Sequence, residues 1–151
     1  MNEHKTLVSM VDKSEITQKV IVIADKGYKS FNNIAHFQKR NWNYIIRSKE
    51  SYAIKYTTPD SDEFDVETTI TLTLRKTEET IALLEKDSDR YRWIQTHITF
   101  DYLQHKQGRM YDLKLRIVRF KISDSAYETV FTNLPKYDFP AQVLKELYKM
   151  H

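Results

Sequence analysis

Asp25 closes the apolar run Val20, Ile21, Val22, Ile23 and Ala24, and Lys26, Gly27 and Tyr28 follow it. An apolar run without alternation predicts a strand covered on both faces, hence a central strand of an α/β sheet. A carboxylate just past such a strand sits at the sheet's carboxyl edge, where open α/β sheets hold their ligands. Gly27 lets the backbone turn sharply there. Residues 26–49 carry six basic side chains (Lys26, Lys29, Lys39, Arg40, Arg47 and Lys49) and no Asp or Glu. A lone carboxylate beside many cations suits a site that takes a metal ion and a polyanion together. In such sites carboxylates hold divalent ions for phosphoryl transfer while Lys and Arg meet the phosphates. The plainer alternative is an Asp that caps the next helix, beside a solvated basic face.

Charge is uneven further along. Residues 50–67 hold six acids and one base, and residues 105–121 hold six bases and one acid, Asp112. Lys114, Arg116, Arg119 and Lys121 form a second basic segment. It is expected to face the same groove as Lys26, Lys29, Arg47 and Lys49, with one alternative. The cations instead lie on solvated strand faces or pair with the acids of 50–67.

The elements that must position these residues follow from periodicity. Leu7, Val8 and Val11 have helical spacing. Residues 19–24 predict a strand. Ser30 is a plausible N-cap of a helix that buries Ile34 and Phe37 and ends near Arg40. Residues 42–47 predict a second strand, so the order is strand, helix, strand, which favours a parallel pair. Residues 51–64 read as loop, with a turn at Pro59-Asp60-Ser61. Val66, Thr68, Ile70, Leu72 and Leu74 alternate with polar residues, as a half-buried strand does. A short helix is expected over 77–84 and strands over 93–100, 111–122 and 127–132, with a hairpin turn at Gln107-Gly108-Arg109. Residues 66–122 are thus expected to form an antiparallel, β-rich unit. Within 111–122 the apolar phase switches from Leu113, Leu115 and Ile117 to Val118, Phe120 and Ile122, which calls for a bulge or burial on both faces. A helix after Phe139-Pro140 buries Val143, Leu144, Leu147 and Tyr148 and is expected to run to His151.

Composition excludes several classes. The 151 residues suffice for a real core and suggest one domain. Without cysteine there are neither disulfides nor thiolate metal sites. The five histidines lack metal-ligand spacing, and two glycines cannot build a phosphate-cradling loop. The longest apolar run is far too short to span a membrane. A net charge of +3 does not by itself imply nucleic acid. Trp42, Tyr44 and Trp93 suit core packing better than base stacking.

Residues 20–28 (Val-Ile-Val-Ile-Ala-Asp-Lys-Gly-Tyr), Ser-Phe-Asn-Asn at 30–33 and Trp-Asn-Tyr-Ile-Ile-Arg-Ser-Lys at 42–49 resemble the DDE transposases of bacterial insertion sequences. The similar branch carries a β-rich insertion between the second Asp and the Glu. Residues 127–135 are similar to the strand before that family's last catalytic helix, and Leu-Lys-Glu-Leu-Tyr at 144–148 to the start of that helix. The resemblance implies an α/β fold: a partial RNase H-like core at 1–49 and 127–151, with a β-rich insertion at 50–126. It implies an Asp-Asp-Glu triad that binds two divalent ions, Mg²⁺ or alternatively Mn²⁺. Asp25 is then the second Asp, at once catalytic residue and metal ligand. Tyr148 matches the Tyr of the family's Tyr–Arg–Glu–Lys signature. His151 falls where Arg is expected, and Lys29 stands where relatives often carry an acid. The first Asp and the Glu fall outside these 151 residues, so the chain is expected to be an internal fragment, inactive alone. DNA is the implied partner, with no membrane role, a bacterial cytoplasmic location and room for a homodimer of the intact protein. The alternatives are a non-catalytic nucleic-acid-binding module and an unrelated α+β interaction domain with Asp25 as a cap.

Overall fold

The computed structural model describes Lys5 and residues 21–24, 31–48, 57, 59, 61–95, 98–103 and 110–150. Among these, six strands and three helices give a mixed α/β fold, compatible with a partial RNase H-like core. The strands are β1 (Ile21–Ala24), β2 (Asn43–Arg47), β3 (Phe64–Thr73), β4 (Tyr91–Trp93), β5 (Met110–Ser123) and β6 (Ala126–Thr132). The helices are α1 (Phe31–Lys39), α2 (Glu78–Lys86) and α3 (Ala141–Lys149). Two compact units are distinguished, residues 1–67 with 116–151 and residues 68–115. The hydrogen-bonded strand order is β1-β2-β6-β5 in the first and β5-β3-β4 in the second.

In the first unit β1 runs parallel to β2, with Ile21 opposite Asn43 and Ala24 opposite Ile46. β6 lies antiparallel to both β2 and β5. Side chains alternate across a strand, so each strand serves two layers. Ile45, Val118, Phe120 and Val130 pack with Leu134 and with Leu144 of α3. On the opposite face Tyr44 meets Phe37 of α1, their rings stacked with centroids 5.9 Å apart. α1 ends where Asn41 adopts φ 57°, a left-handed conformation that Asn tolerates. The Asn41 amide donates to the Gln38 carbonyl at 3.1 Å and the Trp42 amide to the Phe37 carbonyl at 2.9 Å. This Schellman closure satisfies the helix end and turns the chain into β2. Asn133 continues the pairing past β6: its side chain accepts from the Tyr44 amide and donates to the Trp42 carbonyl, both at 3.0 Å.

Three expectations need correction. β1 is not buried on both faces. Among the described residues it is the terminal strand of the order and its four residues are half-buried. Its apolar run serves Ile21 and Ile23, which pack on the α3 side. Second, the β-rich stretch 66–122 is not antiparallel throughout. In the second unit β3 and β4 are parallel, with Thr71 opposite Tyr91 and Thr73 opposite Trp93. The reason is α2, which supplies the crossover that parallel strands require. Its start is fixed by a reciprocal cap, in which the Thr80 amide donates to Thr77 Oγ1 at 3.2 Å and the Thr77 amide to Thr80 Oγ1 at 2.7 Å. Third, the strand expected over 93–100 shrinks to Tyr91–Trp93. Phe100 instead joins Tyr102 and Tyr111 in an aromatic cluster, 6.0 and 5.2 Å away by centroid. α3 is described over Ala141–Lys149, with Met150 still in helical conformation, and His151, to which the helix is expected to run, lies outside the described residues. Of the helix expected around Leu7, Val8 and Val11 only Lys5 is described, in helical conformation, and the N-cap Ser30 and the turn at 107–109 lie outside the described residues. The hairpin that is described joins β5 to β6 through Asp124 and Ser125.

The phase switch in β5 reflects burial on both faces. Its register against β6 is unbroken from Arg116 to Lys121, and adjacent Ile117 and Val118 are both buried. The irregularity comes later, between Lys121 and Ser123.

Burial pushes the Tyr44 phenol well above its ordinary 10.0, and the Gln38 amide donating to it at 3.2 Å only partly opposes this. The unfolded chain therefore releases that proton first as the solution becomes alkaline. Stability from this group is fully present below pH 10 and is lost as pH rises toward the folded value. Circular dichroism across pH 9–12 should show unfolding that moves to higher pH in Tyr44→Phe. An unchanged alkaline transition in that variant would contradict the assignment.

Candidate functional site

Because β1 and β2 are parallel, their carboxyl ends share one edge of the sheet. β1 ends at Ala24, directly before Asp25 in the sequence. Asp25, Lys26, Lys29 and Lys49 themselves lie outside the described residues. At the same edge β2 ends on Arg47, whose Nε donates to Glu128 Oε2 at 2.8 Å and whose Nη2 lies 2.7 Å from Glu128 Oε1. The two-pronged geometry matches guanidinium to carboxylate. The Arg47 side chain is 41% exposed and that of Glu128 is 11% exposed, so one side of the pair still meets solvent.

The second basic segment does not present one surface. Alternation along β5 sends Arg116 to the α3 side, with Val118 and Phe120, and sends Arg119 and Lys121 to the other. Arg47 shares the parity of Ile45 and lies on the α3 side. It therefore does not share a face with Arg119 and Lys121, and the common groove expected from the charge pattern is not formed by these three.

Arg116 is no surface cation. It is 2% exposed. Its Nε and Nη2 donate to the two Asp65 oxygens at 2.7 and 2.6 Å. Its Nη1 donates to the carbonyls of Leu134 at 3.0 Å and Phe139 at 2.8 Å. The expectation that it meets phosphate is corrected: its guanidinium is enclosed by partners from its own fold. Arg119 donates to the Asp62 carbonyl at 3.2 Å and lies over the Tyr127 ring, 4.5 Å from its centroid. The Lys121 amide donates to Glu63 Oε2 at 3.4 Å. Arg116 and Arg119 thus turn to the acidic stretch 62–65, the alternative that the charge pattern left open. Lys114 is exposed. Tyr148 packs its ring edge-on against Phe120, 5.8 Å between centroids, so in this fold it anchors α3 to β5.

Asp65 and Glu128 are the site-shaping residues that sequence reading missed. Each looks like an ordinary solvated strand carboxylate. What selects it is strand register, which no local pattern encodes.

The described residues do not fit a two-metal centre. No group of three or more His, Asp or Glu among them is arranged to hold an ion. The carboxylates of Asp65, Glu128 and Asp112 are engaged by Arg116, Arg47 and the Thr71 hydroxyl (2.6 Å to Asp112).

The family model described as transposase DDE domain matches residues 1–151, the whole chain. The chain belongs to that family. No curated protein matches it, and no solved structure does. DDE transposases typically use divalent metal ions and act on DNA. Among the described residues no helix is long and apolar enough to cross a membrane.

Proposed function

We propose that this chain is part of a DNA transposase whose intact form cuts and joins DNA strands at the ends of an insertion sequence, by the two-metal phosphoryl transfer of its family. The observation that carries this reading is the family match over every residue of the chain. The parallel β1–β2 pair supports it, because β1 leads directly into Asp25 at the carboxyl edge, where α/β sheets hold their ligands. On this reading Asp25 is the second carboxylate of the triad. Residues 1–49 and 127–151 belong to the RNase H-like core and 50–126 to the insertion.

Two outcomes follow. With Mg²⁺ or Mn²⁺ the isolated chain leaves supercoiled plasmid intact, since one carboxylate cannot fix a two-metal site. Plasmid nicking that disappears in Asp25→Ala would overturn this. The chain is also expected to bind duplex DNA weakly and without sequence preference. The log–log dependence of affinity on salt then has a slope of about −0.9 per neutralised phosphate. Arg119 and Lys121 occupy one face of the sheet and Arg47 the other. If the first face meets DNA, Lys121→Ala makes the slope shallower by about 0.9 and Arg47→Ala does not change it. Binding that is undetectable at low salt, or indifferent to all of these side chains, would remove DNA contact from the roles of the described cations.

A further inference from the structure

We infer that Arg116, locked by Asp65, is a positioning residue for α3. One guanidinium takes hold of four acceptors. Two are the Asp65 oxygens at the start of β3, and two are main-chain carbonyls, of Leu134 and Phe139. Those carbonyls lie near the two ends of residues 133–140, the connection between β6 and α3. Leu134 and Phe139 also pack in the core, and the Leu134 amide donates to Thr132 Oγ1 at 3.1 Å, but these contacts come from the connection's own side of the sheet rather than from β3. The Phe139 amide donates back to the Pro135 carbonyl at 2.9 Å, and the N-cap of α3 is Pro140, which makes no side-chain cap. Lys136 adds an outer tie, its Nζ 3.3 Å from the Asp65 carbonyl oxygen.

The geometry demands arginine. Four bonds in one plane, two to a carboxylate and two from a single Nη to separate carbonyls, match a rigid fork and not the point charge of lysine. The carboxylate has its own task. It neutralises a cation that is almost wholly buried and fixes the rotation of the guanidinium, so that Nη1 faces the connection. α3 then lies down with Leu144 in the core and Tyr148 against Phe120. Where this helix starts decides where every later residue of the same helix points. In the transposase reading, on which the mechanistic importance of this clamp rests, α3 leads toward the triad Glu. The clamp sets that helix at a distance, without touching substrate.

Hydrogen exchange on the 151-residue chain tests the clamp separately from any transposase chemistry. In Arg116→Lys and Asp65→Asn the amides of Leu144, Leu147 and Tyr148 should exchange about tenfold to a hundredfold faster under native conditions, the loss of one or two charge-assisted bonds. The amides of Ile45 and Val130 should be accelerated by no more than the fall in global stability, while at low urea those of α3 exchange through a smaller opening that leaves β2 closed. Exchange of both sets only through one global opening, in wild type and variants alike, would overturn the proposal. So would unchanged α3 exchange in both variants. Should neither variant fold, the wild-type chain still decides. The Arg116 Nε proton should lose protection at the same low urea concentration as the α3 amides, before those of β2. If it stays protected while α3 opens, the clamp does not hold the helix. Failure of the clamp would leave the transposase reading intact, and failed DNA chemistry in the intact enzyme would leave the clamp intact.

Discussion

Arg116→Ala should cost about 3–5 kcal/mol of folding stability, the range for breaking a buried ion pair from one side. The variant strands the Asp65 carboxylate, which has only 15% exposure to recover its hydration, and frees two carbonyls of the connection that leads into α3. Small domains rarely have more than about 5–15 kcal/mol in total, so the loss should be plain in the urea midpoint. Charge alone does not explain the effect, and a second variant separates the causes. Removing both partners, as Arg116→Met with Asp65→Leu, should recover most of the loss, because a buried pair replaced by apolar groups of similar volume is often neutral. The unsatisfied carbonyls of Leu134 and Phe139 should keep that recovery incomplete. A single-variant loss below about 1 kcal/mol, typical of surface pairs, would mean that the bridge is exposed in solution. The DNA-salt slope of Arg116→Ala, measured where it is still folded, should equal that of wild type.

Much of the scaffold was legible because short-range rules decide it. Periodicity located α1, β2, β5, β6 and α3 to within a few residues. The Thr-x-x-Thr start of α2 is a local cap that the chain carries in plain view. The parallel pairing of β1 with β2 followed from strand, helix, strand spacing. What failed depended on information that neighbouring residues do not contain. β1 looks doubly covered because Val20 to Ala24 lack polar alternation, yet its burial is set by which elements flank it. The residues after Trp93 look like a strand because aromatic and β-branched side chains favour both strands and aromatic clusters. Phe100 joins such a cluster.

The site was legible in its chemistry more than in its geometry. The basic stretch 26–49 and the acidic stretch 50–67 were evident as charge. Only the fold reveals that Arg116 turns inward to Asp65 while Arg119, three residues on, lies over Tyr127 on the opposite face. A count of cations in 105–121 treats them alike. Strand parity separates them, and parity could have been applied to the sequence directly: Arg116 shares the phase of Val118 and Phe120, so a buried role was already implied once those two were assigned to the core.

The central claim is that this chain belongs to a transposase in which Asp25 is a catalytic carboxylate. The most direct test is Asp25→Ala in the intact transposase, assayed for strand cleavage at a cognate element end with Mg²⁺. Removing a carboxylate of the triad should lower the cleavage rate by several kcal/mol in barrier, on the order of a thousandfold or more. Affinity for the same DNA should stay within about threefold of wild type, because phosphate contacts rather than this carboxylate hold the duplex. Cleavage that survives at near wild-type rate, or a loss of DNA binding equal to the loss of cleavage, would contradict the account.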